Sequence, residues 1–328
     1  MNRRELLAAM AASTVAASTM AAASGRAFAQ SFPTQPLRII VPFPAGQASD
    51  VITRLLADRI SPAIGQPIIV ENRPGAGGNI GTEAGARAAN DGHTLTIATA
   101  ALPISKLIYR RLSFDPVTDF APVTRMTITP LLLVTSPKLG VKSVAELVDF
   151  AKKNPGKVSF ASSGPGTSHH LSGELFAALA DLKLLHVPYK GSPPAYIDLM
   201  SGQVDIMFDN IVAVGPQVKQ GNLKALAATT KTRVPTLPDL PTMAESGYPT
   251  FEAVAWFGVL VPKGTPRPVI ERLNAEFGKA LAIPEIRQKL IDMGAQVMPG
   301  TPDEFGKFLT AEVAKWEPVV HRAGIAID

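Results

Sequence analysis

The 328-residue chain has no cysteine, few aromatic residues and no strong excess of either charge. Without cysteine it forms no disulfide, has no thiol to carry a lipid and is poorly supplied for zinc. The net charge is only +5 and the charged residues form no long runs, which argues against a nucleic-acid partner. After the N-terminal segment, no apolar run is long enough to cross a membrane. A chain of this length is typical of two domains stabilised by their apolar cores.

The N-terminal segment has the features of an export signal. Arg3 and Arg4 precede an Ala-rich run, and the small-x-small sequence AFA ends at Ala29. We expect residues 1–29 to be a signal peptide that is cut before Gln30, so that the mature chain is free in the periplasm. The paired arginines are compatible with twin-arginine export, with the general secretory route as the alternative.

The rest of the chain repeats one unit, a short apolar strand followed by a Gly/Pro/Ser loop and a helix. In the first unit, LRIIVPF precedes a helix in which Ile52, Leu56 and Ile60 share one face and Ser49 or Asp50 can cap the start. The third unit, HTLTIATA, is followed by a loop and a polar stretch instead. Strands that alternate with helices predict an α/β fold with parallel sheets covered on both sides. Ligands of such sheets bind at the carboxyl ends of the strands.

Two long extended runs, APVTRMTITPLLLVTS and FEAVAWFGVLVP, interrupt this alternation. We interpret them as the segments in which the chain crosses from one lobe to the other and back. The predicted first lobe comprises residues 30–124 and 257–328, and the second comprises residues 125–256, with a cleft between them.

Enzyme motifs fail when they are checked position by position. The pattern G-x-G-x-x-G from Gly75 requires glycine where Ile80 stands, and the same pattern from Gly164 fails at His169. There is no phosphate-binding loop, no G-x-S-x-G elbow and no H-E-x-x-H spacing. We therefore expect no catalytic residue, no metal and no cofactor. The alternative is an exported α/β hydrolase, with a Ser-His-Asp set assembled in space from Ser163 or Ser168.

Two loops lack any Lys, Arg, Asp or Glu, and each leads to a helix start. They cover residues 41–49 and 158–173. The backbone N–H groups and the positive dipole end at a helix start bind an anion without a charged side chain. The alternative is that these loops are ordinary α/β connections.

Several motifs together resemble one receptor family. They include RIIVPFPAGQASD, IIVENRPGAGGNIG, SSGPGTSHHLSGELF, HVPYKGSPPAYIDLMSGQVDIMFD, LPTMAESGYP, WFGVLVPKGTP, GTPDEFGKF and AKWEPVV, in this order from about Pro36 to Gly324. The chain is similar in these stretches to the Bug family, the extracytoplasmic solute receptors of tripartite tricarboxylate transporters.

The resemblance implies a two-lobed periplasmic binding protein of type II, the Venus-flytrap kind. Such a receptor closes over a di- or tricarboxylate, an acidic amino acid or an aromatic acid and presents it to the membrane permease subunits. It implies a monomer. The ligand-binding positions that it implies here are Pro44, Ala45, Gly46, Gln47, Asn79 and Ala100 in the first lobe, with Ala101 and Leu102 beside them, and Ser163, Gly166, Thr167, Ser168, Tyr189, Lys190, Gly191 and Asp209 in the second.

Two of these positions leave alternatives open. The family's first loop commonly reads P-F-x-x-G-G, whereas Gln47 follows Gly46 here. Its amide either reads a polar group of the ligand or points to solvent. Asp209 either contacts the ligand or caps a neighbouring helix, and His169 and His170 are interpreted as packing and hydrogen-bonding residues. A ligand module of a sensor system would have the same cleft, and the sequence does not identify the acid.

Overall fold

The structure of the protein, a computed structural model, describes residues 32–323 and residue 326, so the predicted signal peptide lies outside the described residues. Within them the chain forms ten strands and ten α-helices. The strands are β1 (Leu37–Val41), β2 (Ile68–Asn72), β3 (Thr94–Thr99), β4 (Phe120–Thr135), β5 (Ser159–Ser162), β6 (Leu185–Pro188), β7 (Ile206–Asn210), β8 (Lys224–Ala228), β9 (Val254–Pro262) and β10 (Gln296–Val297). The helices are α1 (Ala48–Ile64), α2 (Asn79–Ala86), α3 (Ala101–Ile108), α4 (Val144–Lys153), α5 (Ser168–Ala180), α6 (Ser192–Ser201), α7 (Ile211–Lys219), α8 (Arg267–Ala282), α9 (Pro284–Asp292) and α10 (Pro302–Ala323). None of these helices is long and apolar enough to cross a membrane.

The strands join in the order β2-β1-β3-β9-β4-β7-β5-β6, with β8 and β10 also paired to β4. Strand β1 runs parallel to β2 and β3, and β5 runs parallel to β6 and β7, as the alternation of strands and helices predicts. The two long runs become β4 and β9, which pair antiparallel with each other and with their neighbours. The sheet is therefore mixed. The chain leaves the first part of the sheet along β4 and returns to it along β9, which runs in the opposite direction.

Strand β4 is shared by two parts of the sheet. Its residues up to Pro130 pair with β9, and from Leu131 onward they pair with β7 and β8. We call the part with β1, β2, β3, β9, β10 and the start of β4 the first lobe, and the part with the end of β4, β5, β6, β7 and β8 the second lobe. The predicted boundaries at residues 124/125 and 256/257 stay a prediction.

A single buried threonine joins the two crossings. Thr229 accepts a hydrogen bond at Oγ1 from the backbone N–H of Leu131 at 3.0 Å and donates to the carbonyl of Ala253 at 2.6 Å. Its backbone also pairs with both residues, at 3.0 and 3.2 Å. The outgoing and returning strands are thus held together where the chain passes between the lobes.

Helix α1 shows how the local sequence builds each unit. Ile52, Leu56 and Ile60 are buried on one face, as their spacing predicts, and the helix ends at Gly65, whose φ of +78° favours glycine. The predicted cap at Ser49 or Asp50 is wrong. Both residues lie inside the first turn, because the helix begins at Ala48 with Gln47 in the N-cap position.

Four helices start directly behind the carboxyl ends of four strands. Helix α1 follows β1, α5 follows β5 and α7 follows β7. Helix α3 follows β3 immediately, where the sequence predicts a loop. The starts of these four helices meet between the lobes and define the site.

Candidate functional site

A small cavity lies between the lobes where the four helix starts meet. Its volume is about 20 Å³, which is room for about one water molecule. First-lobe residues that line it are Phe43, Gln47, Ala48, Thr99, Ala100, Ala101, Ala255 and Phe257, and second-lobe residues are Thr167, Ser168, His169 and Asn210. None of these side chains is a Lys, Arg, Asp or Glu, so any anion here must be held by neutral donors.

The loop before α1 is fixed from behind by a buried carboxylate. Asp50 accepts a hydrogen bond from the backbone N–H of Gly46 at 3.0 Å and from the Asn72 side chain at 2.9 Å, and it pairs with Arg54. Asn72 also donates to the Phe43 carbonyl at 2.9 Å. Burial raises the pKa of Asp50, but the hydrogen bonds from Arg54, Gly46 and Asn72 outweigh it and lower the pKa below its usual value. The carboxylate therefore stays charged and holds the loop in one shape.

The two first-lobe helix starts carry no side-chain cap. Neither Gln47, in the N-cap position of α1, nor Ala100, in that of α3, accepts a hydrogen bond from its own helix through its side chain. At α3, however, the Ala101 N–H donates a hydrogen bond to Thr99 Oγ1 at 3.3 Å. Uncapped starts present backbone N–H groups and the positive dipole end to whatever lies in front of them.

The two second-lobe helix starts that line the cavity are capped by their own chain. Thr167 accepts from the backbone N–H of His170 at 3.4 Å, at the start of α5. Asn210 accepts from the backbone N–H of Val212 at 3.0 Å, at the start of α7, and its amide donates to Thr129. These starts have therefore already satisfied part of their need for an acceptor.

A buried hydrogen-bond network lies behind the second-lobe wall. Asp209 is 0% exposed and accepts from Tyr196, from the His169 ring nitrogen Nε2 at 3.1 Å and from the backbone N–H of Asn210 at 2.7 Å. His169 Nδ1 lies 2.7 Å from Ser163 Oγ. Burial lowers the pKa of His169 although the charge of Asp209 opposes it, and burial together with that charge raises the pKa of Tyr196.

A Ser-His-Asp set thus does assemble, from Ser163, His169 and Asp209. Of the three, only His169 lines the cavity. Ser163 Oγ also lies 3.0 Å from Ser192 Oγ, and neither it nor Asp209 faces the cavity. The hydrogen bonds of His169 to Ser163 and to Asp209 hold the second-lobe wall in place.

The lobes contact each other beside the cavity. The amide oxygen of Gln47 accepts a hydrogen bond from the backbone N–H of Ser192 at 3.3 Å. A Cβ atom on Gly191 would lie 2.2 Å from Pro44, and one on Gly77 would lie 2.3 Å from the Pro165 carbonyl. Glycines at these positions allow the two backbones to approach this closely.

The structure brings only some of the predicted site residues together at the cavity. Gln47, Ala100, Thr167 and Ser168 line the cavity, and Asn79 lines a smaller cavity of about 10 Å³ beside it. Gly166, Gly191 and Pro44 lie at contacts between the lobes, and Ser163 and Asp209 lie behind the wall. Ala45, Gly46 and Lys190 are exposed, and Tyr189 donates to Asp198 at 2.7 Å. The Gln47 side chain does not point to solvent, since the residue is 6% exposed.

Sequence reasoning missed several residues of the cavity wall. Phe43, Ala48 and Thr99 adjoin predicted positions, and Asn210 directly follows Asp209. Ala255 and Phe257 come from the returning strand β9, and no local signal marks them. His169 was interpreted as a hydrogen-bonding residue, and its ring bonds to Ser163 and Asp209 agree with that interpretation.

Other features of the described residues offer less. A larger groove, about 710 Å³, lies in the second lobe beside Lys142 and Lys224, but its lining is mainly aliphatic and includes no start of an α-helix. Among residues 32–323, no three His, Asp or Glu side chains lie close enough together to hold a metal ion. The cavity between the lobes is therefore the candidate site.

Comparison with known proteins agrees with this two-lobed arrangement. A protein encoded between tcbD and tcbE in Pseudomonas sp. (strain P51) is 40% identical over 319 residues, covering 97% of this chain and 94% of that protein. Protein BugT of Bordetella pertussis is 39% identical over 298 residues, covering 90% and 91%.

Three solved structures are similar across the same region. The periplasmic binding protein BugD has a TM-score of 0.87 at 36% identity, covering 90% of this chain and 99% of that one. Rpa4515 of R. palustris with adipate has a TM-score of 0.88 at 38% identity, with coverages of 90% and 99%. MatC of Rhodopseudomonas palustris with bound malate has a TM-score of 0.83 at 34% identity, with coverages of 88% and 100%.

The model of the tripartite tricarboxylate transporter family receptor matches residues 52–325. The resemblance found in the sequence and the predicted α/β, two-lobed binding-protein fold are both confirmed. Proteins of this kind bind solutes and are not enzymes, so the Ser-His-Asp set here is part of a binding wall. The chain belongs to the tripartite tricarboxylate transporter receptor family, the Bug family of periplasmic solute-binding proteins.

Proposed function

We propose that this chain is exported to the periplasm, binds a small organic carboxylate between its lobes and delivers it to the permease subunits of a tripartite tricarboxylate transporter. The observation that carries the proposal is the pair of uncapped helix starts, α1 and α3, which face one cavity without any charged side chain. A carboxylate placed there accepts hydrogen bonds from backbone N–H groups and lies at two positive dipole ends. The bound adipate and malate of the two similar receptors support the same ligand class.

Capture follows from the two-lobed fold. A ligand that contacts both lobes stabilises the form in which they meet, and the free energy of closure comes from those added contacts. We place the lobes on either side of β4 and β9, near the predicted residues 125 and 257. The neutral site releases its acid more readily than a buried ion pair would, which suits a protein that must hand the acid on.

A thermal-shift screen tests the ligand class. The chain from Gln30 onward is unfolded and refolded to remove carried ligand, and is then mixed with mono-, di- and tricarboxylates, acidic amino acids, aromatic acids and their amides. An acid at a thousandfold its Kd should add about 4 kcal/mol to the free energy of unfolding. For a chain of this size the midpoint should rise on the order of several degrees. A shift with an acid and none with its amide supports the proposal, and no shift with any acid contradicts it.

A backbone substitution tests the helix start itself. Ala48 is the first residue of α1, a position that proline favours, and Gln47 before it is extended with ψ of 157°. Ala48→Pro removes one N–H from the site and should weaken acid binding about tenfold or more, whereas Ala48→Gly keeps the N–H and serves as the control. Equal affinities in the proline and glycine variants, both shown to be folded by circular dichroism, would rule out this N–H as a ligand contact.

A further inference from the structure

Among the first three residues of helix α6 only one has a backbone N–H, and a side chain from the other lobe accepts a hydrogen bond from it. Ser192 is followed by Pro193 and Pro194, which have no N–H. The Ser192 N–H donates to the amide oxygen of Gln47, and Gln47 is almost fully buried at this contact. A neutral oxygen of the protein therefore lies where the dipole end of α6 would otherwise attract an anion.

The contact leaves no space for a ligand atom. A Cβ atom on Gly191 would lie 2.9 Å from the Gln47 amide oxygen and 2.2 Å from Pro44. Both distances are below the separation of non-bonded atoms in folded proteins. An anionic group could reach the Ser192 N–H only by displacing Gln47 and separating the lobes at this point.

The second lobe offers an anion fewer donors at the two helix starts that line the cavity. Thr167 accepts from one N–H of α5 and Asn210 accepts from one N–H of α7. Behind them the buried Asp209 lies 3.1 Å from His169, which faces the cavity. A second ligand carboxylate on this side would therefore meet partly satisfied helix starts and a buried acidic side chain one residue away from the wall.

The first lobe differs, because neither N-cap residue, Gln47 or Ala100, accepts a hydrogen bond from its own helix, and only the Ala101 N–H of α3 donates to a side chain, that of Thr99. The cleft thus has one end suited to an anion and another end with Thr167, Ser168, His169 and Asn210, which suit a neutral polar or apolar group. We propose that the cleft selects acids with one carboxylate and a neutral second end, and that Gln47 enforces this choice by occupying the Ser192 N–H. This inference rests on the proposed carboxylate binding and narrows it to monocarboxylates, in contrast to the diacids adipate and malate of the two similar receptors.

Calorimetric titration with matched ligands tests the selection. Hexanoate, 6-hydroxyhexanoate, adipamate (the half-amide) and adipate share a chain length, and propanoate and butanoate series provide shorter sets. In the parent protein the best ligand with one carboxylate should bind at least tenfold more tightly than its diacid. A diacid that binds more tightly than every monocarboxylate supports the proposed function but overturns this inference. Failure of all acids to bind overturns the proposed function and this inference with it.

Variants on both sides of the contact test the role of Gln47. Gln47→Ser and Gln47→Gly both shorten the side chain so that it cannot reach Ser192, and Gln47→Gly is measured beside Gln47→Ser because it adds no side-chain cap to α1. Ser192→Pro removes the N–H, whereas Ser192→Ala removes only the hydroxyl and retains the contact. Gln47→Ser should reduce the preference for one carboxylate about tenfold, and Ser192→Ala should change it less than twofold.

The double variant distinguishes a direct contact from a general effect on folding. In the Ser192→Pro background the Gln47→Ser change should no longer alter the ratio of the two affinities, because the partner is gone. Thermal melts confirm that each variant is folded, and Gln47→Gly replaces Gln47→Ser if the latter is not. An unchanged ratio in both Gln47→Ser and Gln47→Gly overturns the role of Gln47.

Discussion

Acid should destabilise this protein through one histidine pair behind the second-lobe loop. The rings of His170 and His186 stack with their centroids 4.0 Å apart, and the Phe160 ring stacks on His186 with centroids 4.8 Å apart. His186 also bonds to Ser162 Oγ at 2.7 Å, and His170 pairs with Glu174. A proton on His186 would therefore be held in a half-buried site beside another imidazole.

The size of the effect follows from the pKa of His186. Burial, together with the neighbouring His170, lowers that pKa from 6.5 to about 4, whereas Glu174 opposes the shift. The folded form is then neutral while the unfolded chain takes up a proton below pH 6.5, so stability is lost between pH 6.5 and about 4. At about 1.4 kcal/mol per unit the full shift would amount to roughly 3 kcal/mol. Because His186 is only half-buried, solvent screening reduces the expected loss to about 1–2 kcal/mol.

The assay compares the parent with His186→Gln, which can still bond to Ser162 but does not titrate. Urea unfolding at pH 7.5, 6, 5 and 4.5 should show a steeper fall in the free energy of unfolding for the parent, by about 1–2 kcal/mol over this range. Parallel curves for the two proteins, or an imidazole of His186 that titrates near pH 6.5 by NMR, would refute the reasoning.

Three further predictions concern Thr229, the loop before α1 and the contact between the lobes. Thr229→Val keeps the shape of the side chain but leaves the Leu131 N–H and the Ala253 carbonyl without their side-chain partner. The free energy of unfolding, measured with urea, should fall by about 1–3 kcal/mol. A fall of less than about 0.5 kcal/mol would contradict the role of Thr229 in joining the two strands. Asp50→Asn weakens the hydrogen bonds that hold the loop before α1, so the affinity for the acid, measured by calorimetry, should fall about tenfold. The stability that the lowered pKa of Asp50 provides, which is lost as the pH falls, should be absent from this variant. Unchanged acid binding would show that the loop holds its shape without the charge. Gly191→Ala places a methyl group against Pro44 and should weaken binding at least tenfold by preventing contact of the lobes. Gly140→Ala, also at a positive φ (+75°, against +155° at Gly191) but with open space around it, is the control for backbone strain, and equal affinities in the two variants would contradict the clash.

The strand-loop-helix units could be predicted because their signals are local. An apolar run, a Gly/Pro/Ser loop and a stripe such as Ile52, Leu56 and Ile60 lie within about 25 residues of one another. Helix α3 was missed because it is short, ALPISKLI, and carries Pro103 in its first turn. Proline in a first turn fits a helix well, but in a short segment it is also typical of a loop.

The wall of the cavity could be predicted only in part, for a physical reason. The resemblance to the receptor family gave Gln47, Ala100, Thr167 and Ser168, and the helix starts at Gln47 and Thr167 are also visible in the sequence. Contacts that form when distant segments meet are not visible, and these include Ala255 and Phe257 of β9. The partnership of Gln47 with Ser192 joins residues 145 apart in the chain, and no spacing rule predicts it.

The hydrogen bonds of Thr229 to Leu131 and Ala253 constrain how the lobes can move. Strands β4 and β9 pair from Phe120 to Pro130 and therefore move together, so rotation of the second lobe is confined to the residues that follow Pro130, beside Thr229. Displacement then grows in proportion to distance from Thr229, and residues beside it hardly move. Since the chain has no cysteine, a dye pair introduced at exposed Asp58 and Lys183 would report the rotation as a single distance. That distance and the heat of acid binding should share one midpoint, as expected for a mechanism with one degree of freedom.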